Sequence, residues 1–293
     1  MKATLLPTAV QNGLTGIALA IALTLMAQKA RAVPIVNLGT ASGFSILAAS
    51  QITDAGGAST IVTGDVGLYP ATGAAIGLTP AQVVSGTIYR AETSGALLNT
   101  AKNDLTTAYN DAAGRPVTID FGVVDNQLGG LTLFPGVYRF GHAATANLIG
   151  TLTLDANGDL NPVWIFQATS DLIAATGSIV ALVNGAVACD VFWQVSSSAT
   201  IGTYSNFSGH IMADQSIALQ AYATLNGSAL ARIAAVTLDH NTITGAACSS
   251  DENGGNGNSV PDTGSTLLLL LTSGMVGLFV FGRSTRPTAN HNS

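Results

Sequence analysis

Charge is the first thing this chain lacks. Asp, Glu, Lys and Arg make up only 9% of its 293 residues, roughly a third of the share usual in a globular domain. Lys2, Lys29 and Lys102 are the only lysines, and the formal net charge is -6. A surface so poor in cations has nothing to set against a phosphate backbone, which excludes nucleic acid as a partner. Cysteine is nearly missing too. Cys189 and Cys248 stand alone, and their spacing resembles no metal site. His142, His210, His240 and His291 are scattered along the chain. Neither a Gly-x-Ser-x-Gly, a His-Glu-x-x-His nor a phosphate-loop pattern occurs. His210 sits at an outward repeat position and reads as a solvated surface histidine. Asp65, Asp155, Asp159 and Asp239 lie beside turns or strand ends, where Asp commonly serves the backbone. No enzyme, metal or cofactor is expected.

What the chain does have is small residues and repetition. Hydrophobic residues reach 47% with only 6% aromatic, and Gly numbers 33, a composition suited to a β-rich fold with tight corners. From Ala199 to Thr244 apolar residues recur every 18 or 19 positions. Ile201, Leu219 and Leu238 form one column, Phe207, Leu225 and Ile243 a second, and Trp193, Ile211 and Leu230 a third. Three short inward strands per repeat indicate a three-sided solenoid, because no rung can bury its apolar edge without a neighbour. Side chains alternate along a strand, so residues flanking an inward one point outward. Around the second column these are Asn206 and Ser208, Thr224 and Asn226, and Thr242 and Thr244. They predict a two-column grid of short uncharged side chains, about 4.8 Å apart between rungs and about 6.7 Å within a strand. The other two sides show Gln220 and Asp239, and His210 and Met212.

The ends read differently. Lys2, the apolar run Leu14 to Ala27 and Ala30-Arg31-Ala32 have the form of a secretory signal cleaved before Val33, so residues 1-32 are expected to be removed. In an oxidising compartment Cys189 and Cys248 are then expected to pair. Residues 33-248 make the main domain, and 249-259 a polar, glycine-rich linker. Val260-Pro261-Asp262-Thr263-Gly264, the apolar run Leu267 to Phe281, and Arg283 with Arg286 form a three-part sorting segment over 260-293. It resembles the PEP-CTERM type handled by exosortases, while its Pro-x-Thr-Gly core also resembles a sortase signal. The run is short for a permanent span, and an ordinary tail anchor is the alternative, so membrane anchoring at the C-terminus is either transient or permanent. The implied partner is an exosortase-type or sortase-type processing enzyme, with membrane contact through this segment alone.

Between the ends, Phe44-Ser45-Ile46-Leu47 and Thr60-Ile61-Val62-Thr63 alternate like strands. Gly64 to Pro70 reads as a turn. Thr79-Pro80-Ala81-Gln82 has the form of a helix start. Leu98, Ala101, Leu105, Ala108 and Ala112 form one narrow apolar stripe on a helix from Ala96 to Ala113, stopped by Gly114 and Pro116. Strands resume over Val117 to Phe140, Leu148 to Leu154, Val163 to Gln167 and Val191 to Val195.

Several stretches together resemble one family. They are Thr63-Gly-Asp-Val-Gly-Leu68, Asp104 to Arg115, Phe134-Pro-Gly-Val-Tyr138, Thr151 to Asp159, Val163-Trp-Ile-Phe-Gln167, Val191-Phe-Trp-Gln-Val195 and Ala235-Val-Thr-Leu-Asp239. Over about Val36 to Cys248 the chain resembles the DUF3494 ice-binding proteins. The resemblance implies an all-β-dominated chain, an irregular three-faced right-handed β-solenoid with one long α-helix packed alongside. It also implies rungs stacked out of chain order, with N-terminal rungs able to interrupt the columns. The family's ice-binding side is a flat β-face, and some members carry Thr-Ala/Gly-x-Thr/Asn there. Thr203-Tyr204-Ser205-Asn206 keeps both ends of that motif, and Ala221-Tyr222-Ala223-Thr224 and Asp239-His240-Asn241-Thr242 keep the last Thr. Thr145, Asn147 and Ser178 are plausible additions from other rungs. An ice crystal surface is the implied partner, for an exported or cell-surface protein. The competing class is an adhesin or matrix protein that uses the same solenoid to bind polysaccharide or other cells, which stacked aromatics on one side would favour.

Overall fold

The computed structural model describes residues 33–121, 126–140 and 145–245. The expectations for the signal segment, the linker, the sorting segment and Cys248 fall outside the described residues. Within them the protein is mostly parallel β-sheet with one α-helix. Strands run two to eight residues, the length a small-residue repeat permits between corners. They pair into a 15-stranded sheet and a six-stranded sheet.

The large sheet carries two ladders. In the first, Gly136–Phe140, Trp164–Ala168, Val191–Val195, the second halves of Asn206–Ala213 and Thr224–Ala231, Phe44–Ala48, Asp65–Leu68 and Ile88–Arg90 pair in that order. The second, or outer, ladder runs Thr132–Leu133, Thr151–Asp155, Ile179–Val183, the first halves of the same two long strands, Thr242–Thr244, Ile61–Thr63 and Val83–Val84. Asn206–Ala213 and Thr224–Ala231 belong to both ladders because they bend at glycine. Gly209 has φ +112 and Gly227 φ +147, where L side chains are strained. A Cβ on Gly227 would lie 2.0 Å from the Gly209 carbonyl oxygen. The six-stranded sheet stacks Ala146–Leu148, Leu172–Ala174, Ala199–Ile201, Ile217–Leu219, Val236–Leu238 and Ile52–Asp54.

Inside the ladders lies one apolar core threaded by rings. Tyr138 stacks on Phe166 at 5.5 Å, Phe166 on Trp193 at 4.0 Å, and Trp193 meets Phe207 at 4.9 Å. The two indoles donate to carbonyls, Trp164 to Leu133 at 3.1 Å and Trp193 to Ser208 at 3.0 Å, so neither buried N–H is orphaned.

The helix Ala91–Gly114, kinked at Ser94, begins five residues before the expected Ala96. Its stripe Leu98, Ala101, Leu105, Ala108 and Ala112 is buried against Leu47, Ile165, Phe192, Met212 and Leu230 of the first ladder. Polar bonds fix the docking. Lys102 Nζ donates to Ala231 O at 2.6 Å, and Gln167 Nε2 donates to Ala112 O at 2.8 Å and Arg115 O at 2.9 Å. Through Ala112 O, Gln167 closes the helix C-terminus, where carbonyls lack intrahelical donors. Burial and the nearby Arg232 guanidinium lower the Lys102 pKa to about 7.

Several expectations change under this helix. Phe44–Ala48 is buried along its whole length, because one side meets the core and the other the helix. Asp65–Leu68, expected as a turn, is a strand. Thr79–Gln82 holds only a single 3-10 turn, Pro80–Gln82, closed by the Thr79 N–H donating to Gln82 Oε1 at 2.9 Å. The third column slips by one: Trp193 pairs with Ile211 and Ile211 with Ala229, while Leu230 pairs with Met212 on the helix side. His210 is buried, not solvated. It stacks on Phe192 at 5.4 Å, and desolvation lowers its pKa to about 4. The N-terminal strands do not interrupt the columns but continue the stack beyond them.

Candidate functional site

Strand phase decides what each ladder shows to solvent. In the outer ladder the centre of a three-residue strand is inward and both flanks outward, as in Thr242–Thr244. Register joins the flanks into two rows. The first runs Thr151, Ile179, Asn206, Thr224, Thr242 and Ile61. The second includes Thr132 with Thr153, and Asn226, Thr244, Thr63 and Val84. None of these side chains is charged. All are exposed or half-buried, while Phe207, Leu225, Ile243 and Val62 between the rows are buried. The β-branched Thr and Ile are stiff at χ1, and the hydrogen-bonded ladder beneath them fixes their spacing.

Of the expected site residues, Asn206, Thr224 and Thr242 fall in the first row, and Asn226 and Thr244 in the second. Thr203 is half-buried at the corner that leads into Asn206. Ser208 pairs with Asn226 but is buried, its Oγ donating to Val180 O at 3.3 Å. Ser178 is also buried, its Oγ 2.7 Å from Leu148 O and 2.7 Å from Ala175 O. Asn147 lies on the six-stranded sheet, paired with Ile173, and its Nδ2 donates to Thr145 O at 3.2 Å. Those two are therefore apart from the outer ladder.

The four-residue corners explain why Ser178 turns inward. Thr176-Gly177-Ser178-Ile179 aligns by register with the three corners ending at Asn206, Thr224 and Thr242. The third residue of each, Ser178, Ser205, Ala223 or Asn241, is buried. Ser205 Oγ donates to Ala175 O at 2.9 Å, and Asn241 Nδ2 to Gln220 O at 2.8 Å and Ala223 O at 3.1 Å. These side chains pin one rung to another. Thr132, Thr151, Thr153, Ile179, Ile61, Thr63 and Val84 were not expected at the site. The Thr151-Leu152-Thr153 alternation carried a signal for two of them.

Among the described residues no cluster of His, Cys, Asp and Glu can hold a metal ion, and no helix is long and apolar enough to cross a membrane. The expected backbone role holds for three of the four Asp residues: Asp65 accepts from Thr87 N at 2.9 Å, Asp155 from Asn157 N at 2.8 Å and Asp159 from Asn161 N at 3.0 Å, whereas Asp239 Oδ1 meets His240 Nδ1 at 2.6 Å.

The family model described as Ice-binding-like matches residues 46–244. The chain belongs to this family. An ice-binding protein from a Colwellia species is 39% identical over 217 residues, covering 71% of this chain and 83% of its own. One from Nostoc sp. (strain HG1) is 39% identical over 260 residues, covering 88% of this chain and 91% of its own. The crystal structure of an ice-binding protein from the Antarctic ascomycete Antarctomyces psychrotrophicus superposes with a TM-score of 0.65 at 38% identity. It covers 72% of this chain and 98% of that one. The family is one of ice-binding proteins, which are non-enzymatic.

Proposed function

We propose that the protein binds ice through the outer ladder, inhibiting ice growth and recrystallisation. The observation that carries this reading is the paired row of exposed, uncharged Thr, Asn and Ile side chains held in parallel register in a chain of the Ice-binding-like family. We read the three ladders as three faces of a right-handed solenoid, the outer one flat. A fixed grid of methyl and hydroxyl groups hydrates weakly and holds water near lattice positions. A carboxylate or ammonium would orient water around itself, which accounts for the absence of charge from both rows. Within the expected site, Asn206, Thr224, Asn226, Thr242 and Thr244 make the contact, with Thr203 at its edge.

The purified full-length chain tests this. It is expected to keep small ice crystals from coarsening and to open a gap between melting and freezing temperatures. Crystals coarsening as in buffer alone would overturn the reading.

Export and processing complete the proposal: removal of residues 1-32, pairing of Cys189 with Cys248, and handling of the 260-293 segment by an exosortase-type or sortase-type enzyme at the cell surface. The sequence features at each end support them, and among the described residues there is no free cysteine.

A further inference from the structure

One row of corner residues lies outside the outer ladder and is built on a costly backbone. Tyr204, Tyr222 and His240 occupy the second corner position with φ +56, +61 and +53, a region that disfavours bulky side chains. Gly177 holds the equivalent place one rung earlier, with φ +71. Three bonds of one kind link the four corners: Gly177 N donates to Thr203 O at 2.8 Å, Tyr204 N to Ala221 O at 3.0 Å, and Tyr222 N to Asp239 O at 3.1 Å. The rings follow the rungs. Tyr204 and Tyr222 stack at 5.1 Å and 5° apart in plane, and Tyr222 meets His240 at 4.9 Å.

The two ends of this stack differ. At the His240 end the chain is close: a Cβ on Gly56 would sit 2.8 Å from His240 Nδ1. At the Tyr204 end the row stops at Gly177, where an added Cβ would meet nothing within 4 Å. Tyr204 is 65% exposed, against 47% for Tyr222. Its outer ring face thus looks over a glycine rung, beside the exposed Thr176 and half-buried Thr203 hydroxyls, with no charged residue at any of these positions.

We propose that this shelf is a saccharide-binding site, in which one pyranose ring continues the stack over Gly177 against the outer face of Tyr204. An aromatic face is electron-rich and attracts the electropositive C–H face of a sugar. That face is flattest when every ring hydroxyl is equatorial, so the ligand class is a β-linked glucan. Thr176 and Thr203 supply neutral partners for its hydroxyls. A second protein copy is the competing occupant, since Ile149 and Ile179 are exposed on the adjoining positions; the sugar is favoured by the open ring face of Tyr204 and the uncharged Thr176 and Thr203 beside it. The site adjoins the outer ladder and shares Thr203 with its edge, but its ring, Tyr204, lies outside both rows.

Saturation-transfer NMR with cellohexaose on the full-length chain tests the proposal. Transfer to the sugar C–H protons is expected, with millimolar affinity. Tyr204→Phe should keep it, since the ring face remains. Tyr204→Asn, which tolerates the same backbone, and Gly177→Tyr, which fills the shelf with the protein's own ring, should each weaken binding at least tenfold at an unchanged melting temperature. Should Gly177→Tyr fail to fold, Tyr204→Asn decides alone. Absence of transfer to wild type, transfer undiminished in folded Tyr204→Asn, or Tyr204-dependent self-association in sedimentation without transfer would each overturn the proposal.

Discussion

The outer ladder and the six-stranded sheet both contain three-residue strands, yet these display different surfaces. Thr242–Thr244 is exposed, buried, exposed, whereas Val236–Leu238 is buried, exposed, buried. A shift of one residue in phase exchanges the faces of a strand. The outer ladder therefore shows two rows and the six-stranded sheet one: Asn147, Ile173, Thr200, Ala218, Thr237 and Thr53. That single row is also free of charge and rich in Thr. What separates the two is width. A crystal plane repeats in two directions, and a single row can match only one of them. Composition alone does not make the site; strand phase does.

The largest effect should come from breaking the bend that lets two long strands serve two ladders. Gly227→Val places a branched side chain at φ +147, against the Gly209 backbone. It is expected to cost on the order of 4 kcal/mol or more, read as a collapse of the melting temperature with loss of all ice activity. Cys189→Ser comes next. If Cys189 and Cys248 are joined, loss of the cross-link should lower stability by roughly 4 kcal/mol or less, depending on strain. Thiol titration of the folded, non-reduced wild type should find no free thiol, and two free thiols would refute the pairing.

A smaller effect concerns acid. The folded-state pKa of His210 is depressed to about 4, so the unfolded chain binds the proton more readily between about 6.5 and 4, and stability falls on acidification through that window. The Asp190 pKa is raised by burial to about 6; the folded state binds that proton more readily between about 6 and 3.8, so stability rises on acidification. The two slopes oppose each other. His210→Phe should expose the second, giving a variant whose melting temperature climbs from pH 6 to pH 4 relative to wild type. A parallel fall in both proteins would contradict this.

Much of the outer ladder was legible because the Phe207, Leu225 and Ile243 column keeps an 18-residue period with no slip. Misreadings came where a second layer intervened. His210 and Met212 look outward in a solenoid considered alone, but the helix side buries them. Leu230 fits the third column by its spacing of 19, whereas Ala229 takes the core position and Leu230 meets the helix. Ser178 and Ser208 fit a row of hydroxyls by residue type, and only the carbonyls of Leu148, Ala175 and Val180 show why they turn in. The Ile61 and Thr63 contribution depended on N-terminal strands stacking after C-terminal ones, a pairing no local pattern encodes. The stacked corner tyrosines were likewise invisible, since left-handed backbone there favours glycine and Tyr is a poor predictor of it.

The central claim is that the outer ladder, and not the six-stranded sheet, meets ice. Thr224→Tyr and Thr237→Tyr place the same ring in the middle of each surface, and both should leave stability within about 0.5 kcal/mol of wild type. At matched melting temperature, recrystallisation inhibition should fall at least tenfold in Thr224→Tyr and stay near wild type in Thr237→Tyr. Equal losses in the two, or a greater loss from Thr237→Tyr, would contradict the account.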